Sequence, residues 1–481
     1  MALARRIAYN VVFNSALKVV STVFIALISI RLTTGYLGQS GFGEYATVLA
    51  FFAFFGALAD LGLATVAARE ISRHGAPEEK ILGNVAALRL VASLTLLLLA
   101  PIAVYFLHYS GHVKIGILIV ALALLFAQFS TFLNGIFQKR LAMDRVAMVE
   151  FVGKLIQLGV IFTAVKFDLG FIAIVSAHLI TMAFNAVVVF FLSRSFVRFR
   201  FDFDWPFWKH FVIEALPLGI TTIITFTYFK MDTILLSFLR TSSDVGIYNV
   251  AYKIMENLIF FPAMLVGLIM PLLSRTIYHD RPRFQEIANK TLKVFLIIVL
   301  PIVIGTVFLA PHIVRIVSGA GFEASAQVLQ VLIFSLAFIF FGHYFNMLLV
   351  VGNAQKRLMG VLLGVAFFNI SLNLFLIRAY SYIGAAVTSA LTELLVIVVT
   401  GMLTYRVLHY FPRPDRLPSI LTSAFLMAGS FYLLRNAPLL VSGFVGMGVY
   451  ATALWFSRAV TSSEIVSLFS EKNEGEEVPL V

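Results

Sequence analysis

Long apolar segments follow one another along almost the whole chain, and this succession constrains the fold more than any other feature. A window of about 20 residues, the length at which a helix crosses a bilayer, finds about fourteen such segments. The predicted spans are 8–31, 43–66, 82–107, 114–137, 146–166, 170–193, 210–238, 245–271, 291–312, 325–350, 357–377, 383–405, 418–435 and 439–457. Charged residues make up 12% of the 481 residues, whereas a soluble chain has about 25%. We therefore predict an all-α polytopic membrane protein.

Basic residues gather on alternate connections between the predicted spans. Arg5 and Arg6 precede the first span, and Arg198 and Arg200 follow the sixth. The connections after the second and fourth spans are also rich in Lys and Arg, whereas those on the opposite side hold about one basic residue each. By the positive-inside rule, both termini are predicted to lie in the cytoplasm, with the chain in the plasma membrane. The formal net charge of +12 is thus a topology signal and not a nucleic-acid footprint. The chain has no cysteine, which excludes disulfides and thiolate metal sites.

The sequence contains an internal repeat. QKRL occurs at 138–141 and again at 355–358, and GEYA at 43–46 resembles GIYN at 246–249. Six spans, an even number, separate the copies, so the two repeats have the same orientation in the membrane. We predict a six-helix lobe over 1–200, a second six-helix lobe over 201–412, two additional spans over 413–460 and an acidic cytoplasmic tail over 461–481.

The seventh predicted span carries a polar stripe. Its members share one helix face and are Glu214, Thr221, Thr225, Tyr228 and Asp232. Because lipid offers no partner for such groups, the stripe is expected to face a protein interior or a water-filled cavity.

Several short motifs resemble those of one transporter family. They are ALPLG at 215–219 with KMDTILLS at 230–237, VGIYNVAYK at 245–253, and GFGEY at 41–45 with DLGL at 60–63. With the duplicated lobe, they make the chain similar to the prokaryotic polysaccharide-unit flippases, of the O-antigen and teichuronic-acid type. These belong to the multidrug/oligosaccharidyl-lipid/polysaccharide (MOP) superfamily. The resemblance implies a MATE-like, V-shaped pair of lobes around a central cavity, and a lipid diphosphate-linked oligosaccharide as cargo.

An anionic cargo of this kind calls for cations in the membrane, where little water offsets its charge. The candidate substrate-binding residues are Lys18, Lys230, Arg89, Arg31, Lys154, Lys253 and Asn14. Lys18 is the first candidate, because it lies too near the middle of its span to snorkel easily. Lys230 is the second, because it has no acidic partner on its own helix.

Other roles remain open for the rest of this set. Arg31 can snorkel to the interface or serve as an outer gate, and Arg89 can neutralise Asp60. Lys154 and Lys253 can pair with a glutamate on their own helix, which for Lys253 is Glu256.

A second group of residues is a candidate coupling site. Asp232, Asn369, Asn373 and Thr388 are predicted to lie at one depth in the second lobe. Their carboxylate, amide and hydroxyl oxygens suit a hard cation such as sodium, and the resemblance to the lipid II flippase branch implies a sodium ion there. Protonation of Asp232, or a purely structural polar cluster, is the alternative. Asp60, Glu393 and Glu256 are candidate proton or charge partners.

We expect a flippase that moves polyprenyl-diphosphate-linked oligosaccharides to the outer leaflet by alternating access, driven by an ion gradient or the membrane potential. Membrane lipids and a polymerase or ligase of the same pathway are the expected partners. No phosphate-binding loop of the Walker type is present, and no enzyme activity or cofactor beyond sodium is expected. A cation-coupled multidrug exporter would need acidic residues where the first span has Lys18 and Arg31. A membrane-embedded glycosyl transferase or ligase would need a large polar loop, which the sequence lacks.

Overall fold

The computed structural model describes residues 24–73, 75–435 and 437–459, and every regular element in these ranges is helical. The helices are α1 (Ala26–Asp60), α2 (Leu63–Ser72), α3 (Glu78–Tyr105), α4 (Gly111–Lys139), α5 (Met143–Lys166), α6 (Gly170–Ser193), α7 (Trp205–Leu239), α8 (Ser242–Glu256), α9 (Phe260–Thr276), α10 (Arg281–Ser318), α11 (Ser325–Val351), α12 (Gln355–Leu408), α13 (Leu417–Leu433) and α14 (Leu439–Phe456). Asn14, Lys18 and the predicted tail over 461–481 lie outside the described residues.

Within the described ranges, 11 helical segments are long and apolar enough to cross a membrane. The 54 residues of α12 amount to about 80 Å of helix, and the non-helical backbone of Ser381 divides them into the eleventh and twelfth predicted spans. The 17 residues of α13 form a shorter apolar helix at the thirteenth predicted span. The all-α polytopic prediction is confirmed, and the chain is a multi-pass membrane protein.

The start of α7 is fixed by a cap outside the membrane-spanning segment. The Asp204 carboxylate accepts a hydrogen bond from the Phe207 N–H at 3.1 Å and pairs with the Lys80 ammonium at 2.8 Å. An N-cap carboxylate satisfies one of the unpaired N–H groups of the first turn. The hydrogen bond from Lys80, followed by that from Phe207, holds the pKa of Asp204 below its usual value.

The eighth predicted span is broken in the middle. α8 begins with a reciprocal capping box between Thr241 and Asp244 and ends at Glu256, and α9 begins only at Phe260. The backbone of Asn257 and Ile259 stays in the helical region, and the Asn257 N–H still donates to the Lys253 carbonyl at 3.3 Å. The interruption is therefore a short turn within one apolar segment, Ser242–Thr276.

Two glycines bring α1 and α8 into backbone contact. A Cβ built on Gly43 would overlap the carbonyl oxygen of Ser242, and one built on Gly246 would overlap that of Gln39. Gly43 and Gly246 begin the GEYA and GIYN copies of the repeat. The second span of each repeat thus meets its counterpart at the same position, where only glycine leaves enough room.

A similar contact joins the turn after α1 to α7. Gly62 has a φ of 80°, which favours glycine, and a Cβ on it would lie 2.7 Å from the carbonyl oxygen of Ala215. A Cβ on Gly219 would lie 2.6 Å from the carbonyl oxygen of Leu61. The DLGL and ALPLG motifs therefore pack directly against each other.

The chain divides into two compact units. The first holds the residues up to Asn257 together with Val314–Val328 and Leu362–Thr388, and the second holds the remainder. In the first, α2, α3 and α4 enclose a core that includes Val66, Leu82 and Phe132. In the second, α13 and α14 pack on α10, and the core there includes Ile420, Met427 and Tyr450. The lobe boundaries at residues 200 and 412 stay a prediction.

Candidate functional site

Asp232 is the centre of a buried polar cluster in the first compact unit. Only 1% of its surface is exposed. Its Oδ2 accepts a hydrogen bond from the Tyr248 hydroxyl at 2.8 Å, and its Oδ1 accepts one from the Asn373 amide at 2.6 Å. The same amide donates to Asn369 Oδ1 at 3.1 Å. The structure thus brings together three of the four residues predicted to form the coupling site.

Thr388, the fourth member, is also buried. Its hydroxyl donates to the Gly384 carbonyl of its own helix at 2.9 Å. Within the described residues, Asn373 Oδ1 is buried and has no hydrogen-bond partner. The Asn373 amide nitrogen faces Asp232 here. With that amide turned over, its oxygen and the Asp232 carboxylate would suit a hard cation, and the carboxylate alone suits a proton. Either role stays a prediction.

Sequence reasoning missed Tyr248 as a partner of Asp232. The residue belongs to the VGIYNVAYK motif, but it lies 16 positions from Asp232 and on another helix. The only available signal was that a tyrosine in an apolar span needs an acceptor for its hydroxyl. The neighbouring Asn249 also links α8 to α7, since its Oδ1 accepts a hydrogen bond from the Thr233 hydroxyl at 3.2 Å.

Glu256 joins two of the predicted substrate-binding lysines. The Lys230 ammonium on α7 lies 2.5 Å from Glu256 Oε1, and the Lys253 ammonium on α8 lies 2.8 Å from Glu256 Oε2. Lys230 also lies over the ring of Tyr252, 4.7 Å from its centre. The Lys253 pair is the one expected along a single helix, whereas the Lys230 pair joins two helices.

A cavity of about 210 Å³ adjoins this cluster and is lined by Lys154, Lys253 and Glu256. Lys154 donates to Gln157 at 3.4 Å and interacts electrostatically with Lys253, Glu150 and Glu256. With Lys230 there are three ammonium groups against two carboxylates, which leaves the cluster net positive.

Two polar groups on the cavity wall have unused hydrogen-bonding capacity. Asn257 and His178 both line the cavity. Asn257 Nδ2 and His178 Nε2 are buried and have no hydrogen-bond partner within the described residues. A buried polar atom of this kind requires an explanation, and a bound ligand is one.

Arg89 is held by the protein itself. Its side chain is 2% exposed, it forms an ion pair with Asp60, and it donates to the Gln128 carbonyl at 2.7 Å. Asp60 also accepts a hydrogen bond from the Gly62 N–H at 3.2 Å. The sequence left two roles open for Arg89, substrate binding and neutralisation of Asp60. The observed ion pair corresponds to the second.

Arg31 contacts the polypeptide at the end of α10. Its guanidinium donates to the Ser318 carbonyl at 3.2 Å, which also accepts from the Thr34 hydroxyl at 2.9 Å. Gln39 donates nearby to the Gly321 carbonyl. These bonds tie α1 to residues 318–321, and the gate role of Arg31 stays a prediction. Glu393, by contrast, is buried in the second compact unit.

The many apolar helices of this chain form a polytopic membrane fold, and solved structures share that fold. The lipid II flippase MurJ in an inward closed conformation superimposes with a TM-score of 0.75 and 17% identity, over 96% of this chain and 99% of that one. An inward-facing multidrug resistance MATE family transporter of the MOP superfamily gives a TM-score of 0.64 and 15% identity, over 82% of this chain and 98% of that one.

The family is defined by sequence. The model of the polysaccharide biosynthesis protein family matches residues 7–277, more than half of the chain, and the chain belongs to this family. The Probable flippase AglR of Haloferax volcanii is 24% identical over 369 residues, which cover 73% of this chain and 72% of that one. The Probable low-salt glycan biosynthesis flippase Agl15 of the same organism is 24% identical over 179 residues, which cover 36% of this chain and only 37% of that one. The family resemblance predicted from the motifs is confirmed.

Proposed function

We propose that this protein is a flippase that moves polyprenyl-diphosphate-linked oligosaccharides from the cytoplasmic to the outer leaflet of the plasma membrane by alternating access. The observation that carries the proposal is a net positive, lysine-lined cavity in a membrane chain of the polysaccharide biosynthesis family. Both termini would lie in the cytoplasm, and a polymerase or ligase of the same pathway would use the delivered sugar.

The chemistry of the cargo explains why lysines are needed. A diphosphate in the membrane loses most of its hydration, and charge-assisted hydrogen bonds from ammonium groups replace part of it. In this proposal Lys154, Lys230 and Lys253 bind the diphosphate, and Lys18 and Asn14 of the first span extend the same path. Arg31 would act at the gate. Arg89 would act by holding Asp60 in place.

The Asp232 cluster would couple transport to an ion. Sodium would be held by the Asp232 carboxylate with the amide oxygens of Asn369 and Asn373, and protonation of Asp232 is the competing mode. The membrane potential would add about 2.3 kcal/mol per charge at 100 mV.

Proteoliposomes that contain a fluorescent polyprenyl-diphosphate oligosaccharide test this function. We expect the protein to expose the label to a membrane-impermeant quencher, and Lys253→Ala to slow the process at least tenfold. Lys290→Ala is the matched control, because Lys290 forms an exposed ion pair with Glu286 on α10. Export of cationic drugs without movement of the lipid would instead indicate the multidrug exporter.

A further inference from the structure

Glu256 occupies the position that an anionic ligand of the lysine cluster would take. Its two carboxylate oxygens are each held by a different ammonium group, Lys230 at 2.5 Å and Lys253 at 2.8 Å. Neighbouring oxygens of a diphosphate would form the same pair of charge-assisted bonds.

We propose that Glu256 is an internal counter-ion that the diphosphate of the substrate displaces, so that the protein carries its own competitor for the binding site. The identity of the displacing anion rests on the proposed function. The competition itself rests on the geometry of Glu256, because the same two ammonium groups cannot serve both anions fully.

The other polar groups that line the cavity could bind an anion with more oxygens than the Glu256 carboxylate has. Lys154 donates a long hydrogen bond, at 3.4 Å, to Gln157. Asn257 Nδ2 and His178 Nε2 have no hydrogen-bond partner within the described residues. All three groups line the cavity that Glu256 borders. An anion with several oxygens would engage them together with the two lysines that now hold Glu256.

The backbone around Glu256 permits the exchange. Glu256 is the last residue of α8, and a turn over residues 257–259 separates it from α9. Its side chain is 32% exposed, whereas that of Lys230 is 20% exposed. A residue at a helix terminus can turn away without breaking the hydrogen bonds of the helix interior. Release of the substrate would follow when Glu256 returns to the lysines, which lowers the affinity at the end of the transport cycle.

Neutralising Glu256 tests the proposal. We expect Glu256→Gln in the full chain to bind inorganic pyrophosphate at least tenfold more tightly than the wild type by isothermal titration calorimetry. Flipping of the labelled lipid at saturating substrate should fall, because release becomes slow. Glu256→Asp keeps the charge on a side chain one methylene shorter, and its affinity should lie between the two. The control Glu286→Gln removes an exposed carboxylate that pairs with Arg283 and Lys290, and it should change neither quantity.

Equal or weaker pyrophosphate binding by both Glu256 variants, each with a wild-type circular dichroism spectrum, would overturn the proposal and make Glu256 a structural residue. An absence of pyrophosphate binding in every form of the protein would overturn it as well. Tighter binding by Glu256→Gln without any lipid flipping by the wild type would refute the proposed function and leave the counter-ion role standing. Flipping by the wild type without tighter binding would refute the counter-ion role alone.

Discussion

At the scale of single residues, the Asp232 cluster combines features of a structural and of a coupling site. Tyr248 and Asn373 donate to the carboxylate as neutral groups, and neutral hydrogen bonds offset only part of the cost of an ionised carboxylate in a membrane. Asn373 Oδ1 accepts no hydrogen bond from the described residues. A cation or a proton at Asp232 would stabilise the cluster further.

Asp232→Asn is therefore expected to keep the fold and to remove the ion dependence of transport. The amide is isosteric and can still accept the hydrogen bond from Tyr248, but it neither binds a cation strongly nor takes up a proton. The measurement is the initial rate of lipid flipping over a series of sodium concentrations and pH gradients. Thr400→Val is the control, since Thr400 lies outside the predicted coupling site and its buried hydroxyl donates to the Val396 carbonyl of its own helix. Unchanged sodium and pH responses in Asp232→Asn would contradict the coupling role.

Arg89 is a residue whose effect we expect on stability. Arg89→Met would leave the Asp60 carboxylate without its guanidinium partner, and breaking a buried ion pair costs about 3–5 kcal/mol. The melting temperature of the detergent-solubilised protein should fall accordingly, and Asp60→Asn combined with Arg89→Met should recover part of the loss. If Arg89→Met melts like the wild type but no longer binds pyrophosphate, Arg89 is a substrate-binding residue and not a structural one.

At the scale of elements, the sequence predicted the spans well and the partners of their polar residues incompletely. Hydropathy specifies which segments are buried in lipid, so the predicted span 439–457 closely matches the helix Leu439–Phe456. Spacing along one helix identified the Lys253–Glu256 pair. It could not find Lys230–Glu256 or Tyr248–Asp232, because these pairs depend on how α7 and α8 pack. The break after Glu256 lies just before Pro262, which has no N–H for the carbonyl of Leu258 and therefore disfavours a continuous helix there.

The packing of α1 against α8 gives a prediction at this scale. Gly246→Ala places a methyl group on the carbonyl oxygen of Gln39, and overpacking of this kind costs about 1–3 kcal/mol. We expect a lower melting temperature and reduced flipping. Gly267→Ala on α9 is the matched control, because nothing lies within 4 Å of its added Cβ, and the change should be neutral or stabilising by up to about 1 kcal/mol. Equal melting temperatures for the two variants would contradict the close packing.

At the scale of the whole molecule, the charge that crosses the membrane in one cycle separates the modes of coupling. The lysines and Glu256 belong to the protein, so their charges return with each cycle, whereas the charges of the cargo and of any ion do not. An anion that moves outward and a sodium ion that moves inward both carry positive charge inward. An interior-negative potential therefore favours both movements. Exchange of sodium for the cargo adds to the transferred charge and so increases the voltage dependence of flipping.

Voltage-clamped proteoliposomes turn this reasoning into a measurement. At 100 mV, interior negative, each transferred charge is worth about 2.3 kcal/mol, or about a fiftyfold change in the ratio of lipid between the leaflets. The slope of that ratio against voltage, set with potassium and valinomycin, should correspond to the charge of the diphosphate without sodium and increase when sodium moves in exchange. Asp232→Asn should lose the sodium-dependent increase and keep the remainder. A ratio that does not respond to voltage in either condition would mean that protons or another cation accompany the diphosphate, and that the Asp232 cluster does not exchange sodium for it.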